Sequence, residues 1–171
     1  PFKIIDLMKN LNYKKFINYF SLFLIIFLID RFTKIYVLSL AEKNDNLQIY
    51  INQFLNIILI WNTGIGFGLL SFSDQITYNF ITTIIIFINL FIIYLIYSSD
   101  NTQSIIYLII LGGSFGNLFD RLYYSAVPDF IDLNYNGFHW FVFNFADIFI
   151  SIGIICLIFI ELLNYKKFNK K

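Results

Sequence analysis

The sequence predicts a membrane α-helical protein with four transmembrane helices. Three observations predict it. The 171 residues are 58% hydrophobic with a mean hydropathy of +0.71, too apolar for a chain that must also cover itself with a water-facing surface. Long uncharged runs approach the ~20 residues that cross a hydrocarbon layer. Basic residues gather at the ends: Lys3, Lys9, Lys14 and Lys15 precede the first run, and Lys166, Lys167, Lys170 and Lys171 follow the last. Only Arg31, Lys34, Lys43 and Arg121 lie between. A net charge of +1 points to no polyanionic partner, so nucleic acid is not expected as a ligand.

The first span is expected over about residues 16–40. Phe16–Ile29 is uncharged, DRFTK interrupts it at 30–34, and IYVLSLA continues. Ser39-Leu40-Ala41 has the small-residue pattern of a secretory cleavage site. Asp30, Arg31 and Lys34 stand between it and the apolar run, so the segment is expected to remain as a helix. The second span, 76–97, has no charge at all. A short turn, SSDNTQ, leads into the third, 101–121, which closes on Asp120-Arg121. The fourth, 143–163, carries Asp147 near its start. Four spans return both termini to one side, and the terminal lysines mark that side as cytoplasmic. Two outer segments follow. Residues 41–74 include QIYINQFLNIILIWN, whose β-branched and aromatic residues predict one or two strands at the membrane surface. In 122–141, Pro128 and the Asn/Gly cluster predict a loop. With no repeat and no linker, residues 1–171 read as a single domain. The lone Cys156 allows no internal disulfide and is expected to be a small core residue.

The polar residues of the spans converge at one depth. Helices 1 and 3 run outward, placing Asp30, Lys34, Asn117, Asp120 and Arg121 at their outer ends. Helix 4 runs inward, so Asn144 and Asp147 begin at that level, and Asp129 and Asp132 lie in the adjoining outer segment. Asp30 and Lys34 are spaced i, i+4 and can pair. Asn117, Asp120 and Arg121 share one side of helix 3, and Asn144, Asp147 and Ser151 form a stripe on helix 4. Snorkelling anchors account for Lys34 or Arg121 singly. They do not account for Asp147, a short carboxylate inside an apolar run, or for so many carboxylates together. Ionisable groups at membrane depth mark function. Two close carboxylates cannot both ionise, so one can take a proton from water while the other donates to a peptide carbonyl. Spacing leaves open which of Asp120, Asp129, Asp132 and Asp147 form the pair.

Other chemistries fit less well. GGSFG at 112–116 has the G-x-S-x-G form of a nucleophile elbow but lies mid-helix, where Gly112 and Gly116 serve close helix packing instead. A serine peptidase would need His139 as base, and that residue sits in an aromatic outer segment suited to an interface. One histidine and one cysteine make no zinc site, so no metal or cofactor is expected. NTGIGFG at 62–68 lacks the strand and helix of a nucleotide loop, although its glycines let backbone approach a ligand. The alternative is a non-catalytic membrane transport or assembly subunit, but helix 2 carries too few polar residues for a path across the membrane.

Five motifs, in order over nearly the whole chain, then resemble lipoprotein signal peptidase, the type II signal peptidase of bacteria and an aspartic peptidase of family A8. DRFTK (30–34) resembles D-x-x-T-K; NTGIGF (62–67) is similar to N-x-G-A-A-F; GGSFGNLFDR (112–121) resembles G-G-A-x-G-N-x-x-D-R; VPDFI (127–131) matches V-x-D-F-I; FNFAD (143–147) matches F-N-x-A-D. Ile65-Gly66 stands in place of the usual Ala-Ala, and Ser114 in place of Ala. The resemblance implies a small extracytoplasmic β-cradle beside the four helices. It implies cleavage of diacylglyceryl-modified prolipoproteins just before the lipidated cysteine, at the outer face of the inner membrane, with membrane lipid around the site. It implies Asp129 and Asp147 as the catalytic pair. Asn62 and Arg121 would contact substrate or globomycin-type inhibitors. Asp30, Lys34, Gly64, Asn117, Asp120, Asn144 and Ala146 would support the site.

Overall fold

The computed structural model describes residues 13–43, 47–64, 75–135 and 137–168; NTGIGFG beyond Gly64 lies outside them. The described residues form four helices and the four strands of one sheet, in the order α1 (Tyr13–Ala41), β1 (Gln48–Asn52), β2 (Leu55–Asn62), α2 (Gln75–Ser98), α3 (Asn101–Tyr124), β3 (Val127–Tyr135), β4 (Phe138–Phe143) and α4 (Phe145–Phe168). Three of the helices are long and apolar enough to cross a membrane: Gln75–Ser98, Asn101–Tyr124 and Phe145–Tyr165. The apolar segment of α3 is 56% buried, against 22% and 17% for α2 and α4, so α3 is the central post on which the others pack. The surface is inverted relative to a water-soluble domain. Phe87, Phe91, Ile155 and Phe159 face outward, while Asp30, Lys34, Asp120 and Asn144 are buried. Cys156 is exposed on α4, not in the core as expected, because α4 turns most of its apolar surface away from the bundle.

Glycines set the approach of α3. A Cβ on Gly112 would lie 2.8 Å from the Ile26 side chain of α1, and one on Gly116 would strike the Asp30 carboxylate. A Cβ on Gly113 would lie 2.6 Å from the main-chain oxygen of Ala146, which a rotamer change cannot move. Gly113→Ala should therefore displace the start of α4 at a cost of about 1–3 kcal/mol. Thermal unfolding in detergent would show the lower midpoint, and an unchanged midpoint would contradict the close approach.

The sheet is antiparallel in the order β1-β2-β3-β4. The first outer segment forms two strands, as its composition predicts. The second corrects the expected loop: residues 127–143 form the β3–β4 hairpin. Pro128 is tolerated because β4 pairs with β3 only from Ile131 to Tyr135, leaving Pro128 facing a strand, through Trp61, on one side only. The Asn/Gly cluster is the hairpin turn, where Gly137 takes φ +79°, and it does not break the flanking strands. Asp100 caps α3 by accepting from the N–H groups of Thr102 and Gln103, and Ser125 ends it in the left-handed region at φ 58°. The chain then enters β3, which carries Asp129 to the end of α3 and the start of α4.

Candidate active site

The start of α4 places Asp147. Asn144 is the cap: its side-chain oxygen accepts from the Asp147 N–H at 3.2 Å, and its own N–H donates to Asp147 Oδ2 at 3.2 Å. This reciprocal box satisfies donors that a helix start otherwise leaves bare. The Ala146 N–H is taken by Asp30 Oδ1 at 3.1 Å, and Ala146 is fully buried, so no larger side chain fits there. The other Asp147 oxygen accepts from the Asn117 amide at 2.9 Å.

Asp129 faces it from β3. Its oxygens accept from Asn144 Nδ2 at 2.6 Å and from Asn62 Nδ2, at the end of β2, at 2.8 Å. Asn144 thus holds both carboxylates. The Asn62 oxygen accepts from the Gly64 N–H at 2.8 Å, and the Gly64 carbonyl accepts from Arg121 Nη2. Each asparagine amide is oriented by a partner on its oxygen, so its NH2 must point at an aspartate. Burial, then the charge of Asp147, pushes the Asp129 carboxyl up to about 7, against the amide hydrogen bonds that oppose the shift.

The neighbouring charges are neutralised within a separate cluster. Lys34, 1% exposed, donates to Asp30 at 3.0 Å, to Asp120 at 2.6 Å and to the Asn117 oxygen at 2.7 Å. Arg31 reaches both oxygens of Asp120 and one of Asp30. Asp132 accepts from Asn56 at 3.0 Å and pairs with His139 Nδ1 at 2.8 Å. Of the four carboxylates that spacing left open, Asp120 and Asp132 therefore have cationic or imidazole partners. Asp129 and Asp147 have no ion pair among the described residues, and they act on one another.

The expected Asp30–Lys34 pair is present. Ser114 is half-buried in the continuous helix α3, which is not the strand–turn–helix an elbow requires. His139 serves Asp132, on the hairpin. Sequence reasoning missed Arg31, Asn56 and Tyr78. Arg31 adjoins Asp30, but its bond to Asp120 spans 89 residues. Tyr78 lies in an uncharged run, where nothing distinguishes it; its hydroxyl donates to the Arg121 carbonyl at 3.1 Å.

The chain is similar to known proteins. The family model described as signal peptidase (SPase) II, Peptidase_A8, matches residues 22–163. The lipoprotein signal peptidase of Pelagibacter ubique (strain HTCC1062) is 51% identical over 165 residues, covering 96% of this chain and 99% of that protein. That of Wigglesworthia glossinidia brevipalpis is 44% identical over 135 residues, covering 78% and 87%. A bacterial membrane enzyme structure, determined by the in meso method at 2.3 Å resolution, superimposes with a TM-score of 0.72 at 28% identity, covering 90% of this chain and 92% of that one. A second, at 1.9 Å resolution, gives 0.66 at 31% identity over 85% and 92%. With a family model matched across most of its length and relatives this similar, the chain belongs to the signal peptidase II family of aspartic peptidases.

Proposed function

We propose that the protein removes signal peptides from diacylglyceryl-modified prolipoproteins, cutting just before the lipidated cysteine, with Asp129 and Asp147 as the catalytic dyad. The observation that carries this reading is that these two carboxylates are held by one asparagine, Asn144, and have no ion pair among the described residues, while Asp30 and Asp120 beside them are ion-paired. Residues 1–171 act as one integral membrane domain. The uncharged run Phe16–Ile29 of α1 supplies the fourth span, and its buried charges lie at the outer end. Both termini are cytoplasmic and the site opens at the outer face of the bacterial inner membrane, with the substrate's acyl chains left in surrounding lipid. The sheet forms a cradle over the scissile bond.

The dyad holds one proton. A water between the carboxyls attacks the scissile carbonyl carbon. Its proton passes to the ionised carboxylate as the protonated one donates to the carbonyl oxygen, giving a neutral gem-diol. The C–N bond then breaks. The newly protonated carboxyl gives its proton to the leaving nitrogen, and a gem-diol hydroxyl returns a proton to its partner. Neither a metal nor a covalent intermediate takes part. Asn62 and Arg121 contact the substrate or a globomycin-type inhibitor, while Lys34, Asn117, Asn144 and Gly64 fix the geometry.

The pH dependence follows from Asp129. Activity needs the shared proton, so the rate should fall as pH rises through about 7. Stability has the same sign. A carboxyl raised from 3.8 to about 7 on folding contributes its stabilisation fully below 3.8 and loses it as pH rises through about 7. A cleavage rate flat from pH 6 to 9 would contradict this prediction.

The reading is tested by incubating the protein, in liposomes, with a diacylglyceryl-modified prolipoprotein and weighing the products by mass spectrometry. A new amino terminus at the lipidated cysteine is expected, and intact substrate would refute it. A transport or assembly subunit would leave the substrate whole and tolerate replacement of Asp129.

A further inference from the structure

Arg121 is a long side chain at the end of α3, with its residue 5% exposed. Its Nη2 donates to the Gly64 carbonyl, and its Nη1 has no partner among the described residues. A buried guanidinium with a spare donor is useful only if something fixes where that donor points. Tyr78, in the first turn of α2 and itself 6% exposed, is placed to do so. The guanidinium carbon lies 5.6 Å from the centre of the Tyr78 ring, within cation–π range. The Tyr78 hydroxyl also donates to the Arg121 main-chain carbonyl at 3.1 Å, one of the last four carbonyls of α3, which have no partner within the helix.

We infer that Tyr78 is a positioning residue: its ring holds the Arg121 guanidinium so that the free Nη1 donor meets a backbone carbonyl of the substrate, while its hydroxyl secures the helix end beneath. This rests on the proposed peptidase reading for the substrate, but the clamp itself does not. It connects α2, which carries no charge, to the site. From Arg121 the hydrogen bonds continue through Gly64 and Asn62 to Asp129.

The two roles of Tyr78 separate by substitution. Tyr78→Phe keeps the ring and loses the hydroxyl; Tyr78→Leu loses both. With the diacylglyceryl-modified prolipoprotein, Tyr78→Leu should raise KM about tenfold, with kcat within about twofold. Tyr78→Phe should stay within about twofold of wild type in both. In an Arg121→Gln background, Tyr78→Leu should add no further loss. A loss confined to kcat, an equal loss in Tyr78→Phe, or a full additional loss in Arg121→Gln would overturn the inference, since a merely structural tyrosine would behave so. A second readout needs no turnover. The Arg121 Nε–Hε proton, observed by NMR in micelles, should show a ring-current shift in wild type and Tyr78→Phe that disappears in Tyr78→Leu. If wild type cleaves nothing, the peptidase reading fails, whereas the NMR shift still decides whether Tyr78 holds Arg121. No difference between wild type and Tyr78→Leu would refute the clamp.

Discussion

Asp147→Asn should fold and bind substrate yet lose cleavage by roughly 10³-fold or more, about 4 kcal/mol of transition-state stabilisation. Asparagine is isosteric with aspartate. Its oxygen can still accept from Asn117 and its main-chain N–H still donates to the Asn144 oxygen, but its NH2 would face the Asn144 main-chain N–H, so one of the two bonds of the α4 cap is lost. It cannot take a proton from water. Asp129→Asn should lose activity to a similar degree and meets the same difficulty. Both Asp129 oxygens accept from amide NH2 groups, of Asn62 and Asn144. An amide at 129 would turn its own NH2 towards one of those donors, costing about 1–3 kcal/mol of stability. Thermal unfolding of each variant in detergent, beside its cleavage rate, separates lost chemistry from lost fold. A folded Asp147→Asn variant that cleaves at the wild-type rate would remove the dyad from the mechanism.

Lys34→Met should be the most destabilising single change in the bundle. The ammonium is 1% exposed and bonds Asp30, Asp120 and Asn117. Methionine fills similar space but leaves two buried carboxylates to share Arg31. Breaking one partner out of a buried ionic cluster costs about 3–5 kcal/mol. Asn117 also loses the contact that fixes its amide, so Asp147 loses an oriented donor and activity should fall as well. The unfolding midpoint in detergent should drop by several degrees, on the order of 2–4 °C per kcal/mol. Adding Asp120→Asn should recover part of the loss, because it removes one of the uncompensated charges. Wild-type stability in Lys34→Met, or a further fall in the double variant, would contradict the cluster.

The helices were legible because uncharged runs of that length leave the chain few alternatives. The convergence of the polar residues was legible for the same reason: Asp147 in FNFADIFISIG stands out against its background. The i, i+4 pair Asp30–Lys34 was readable because helical spacing determines it locally. What spacing could not give was the choice of dyad. In the proposed reading Asp120 and Asp132 are set aside by partners that only the fold reveals: Arg31 and Lys34 for the first, and Asn56 and, across the hairpin, His139 for the second. The resemblance to the family supplied Asp129 and Asp147 where the residues alone left four candidates. The β3–β4 hairpin was hidden because proline and an Asn/Gly cluster are turn signals, and here the first sits where pairing is one-sided and the second is the turn itself. Tyr78 was invisible because a tyrosine in an uncharged membrane-spanning run looks like packing until its partner on α3 is known.

The most direct measurement is the single-turnover rate on a diacylglyceryl-modified prolipoprotein in liposomes for wild type, Asp129→Asn, Asp147→Asn and Ser114→Ala, each first shown to be folded. The account predicts that both asparagine variants are inactive while Ser114→Ala cleaves at close to the wild-type rate. Cleavage by the asparagine variants, or its loss in Ser114→Ala, would contradict it.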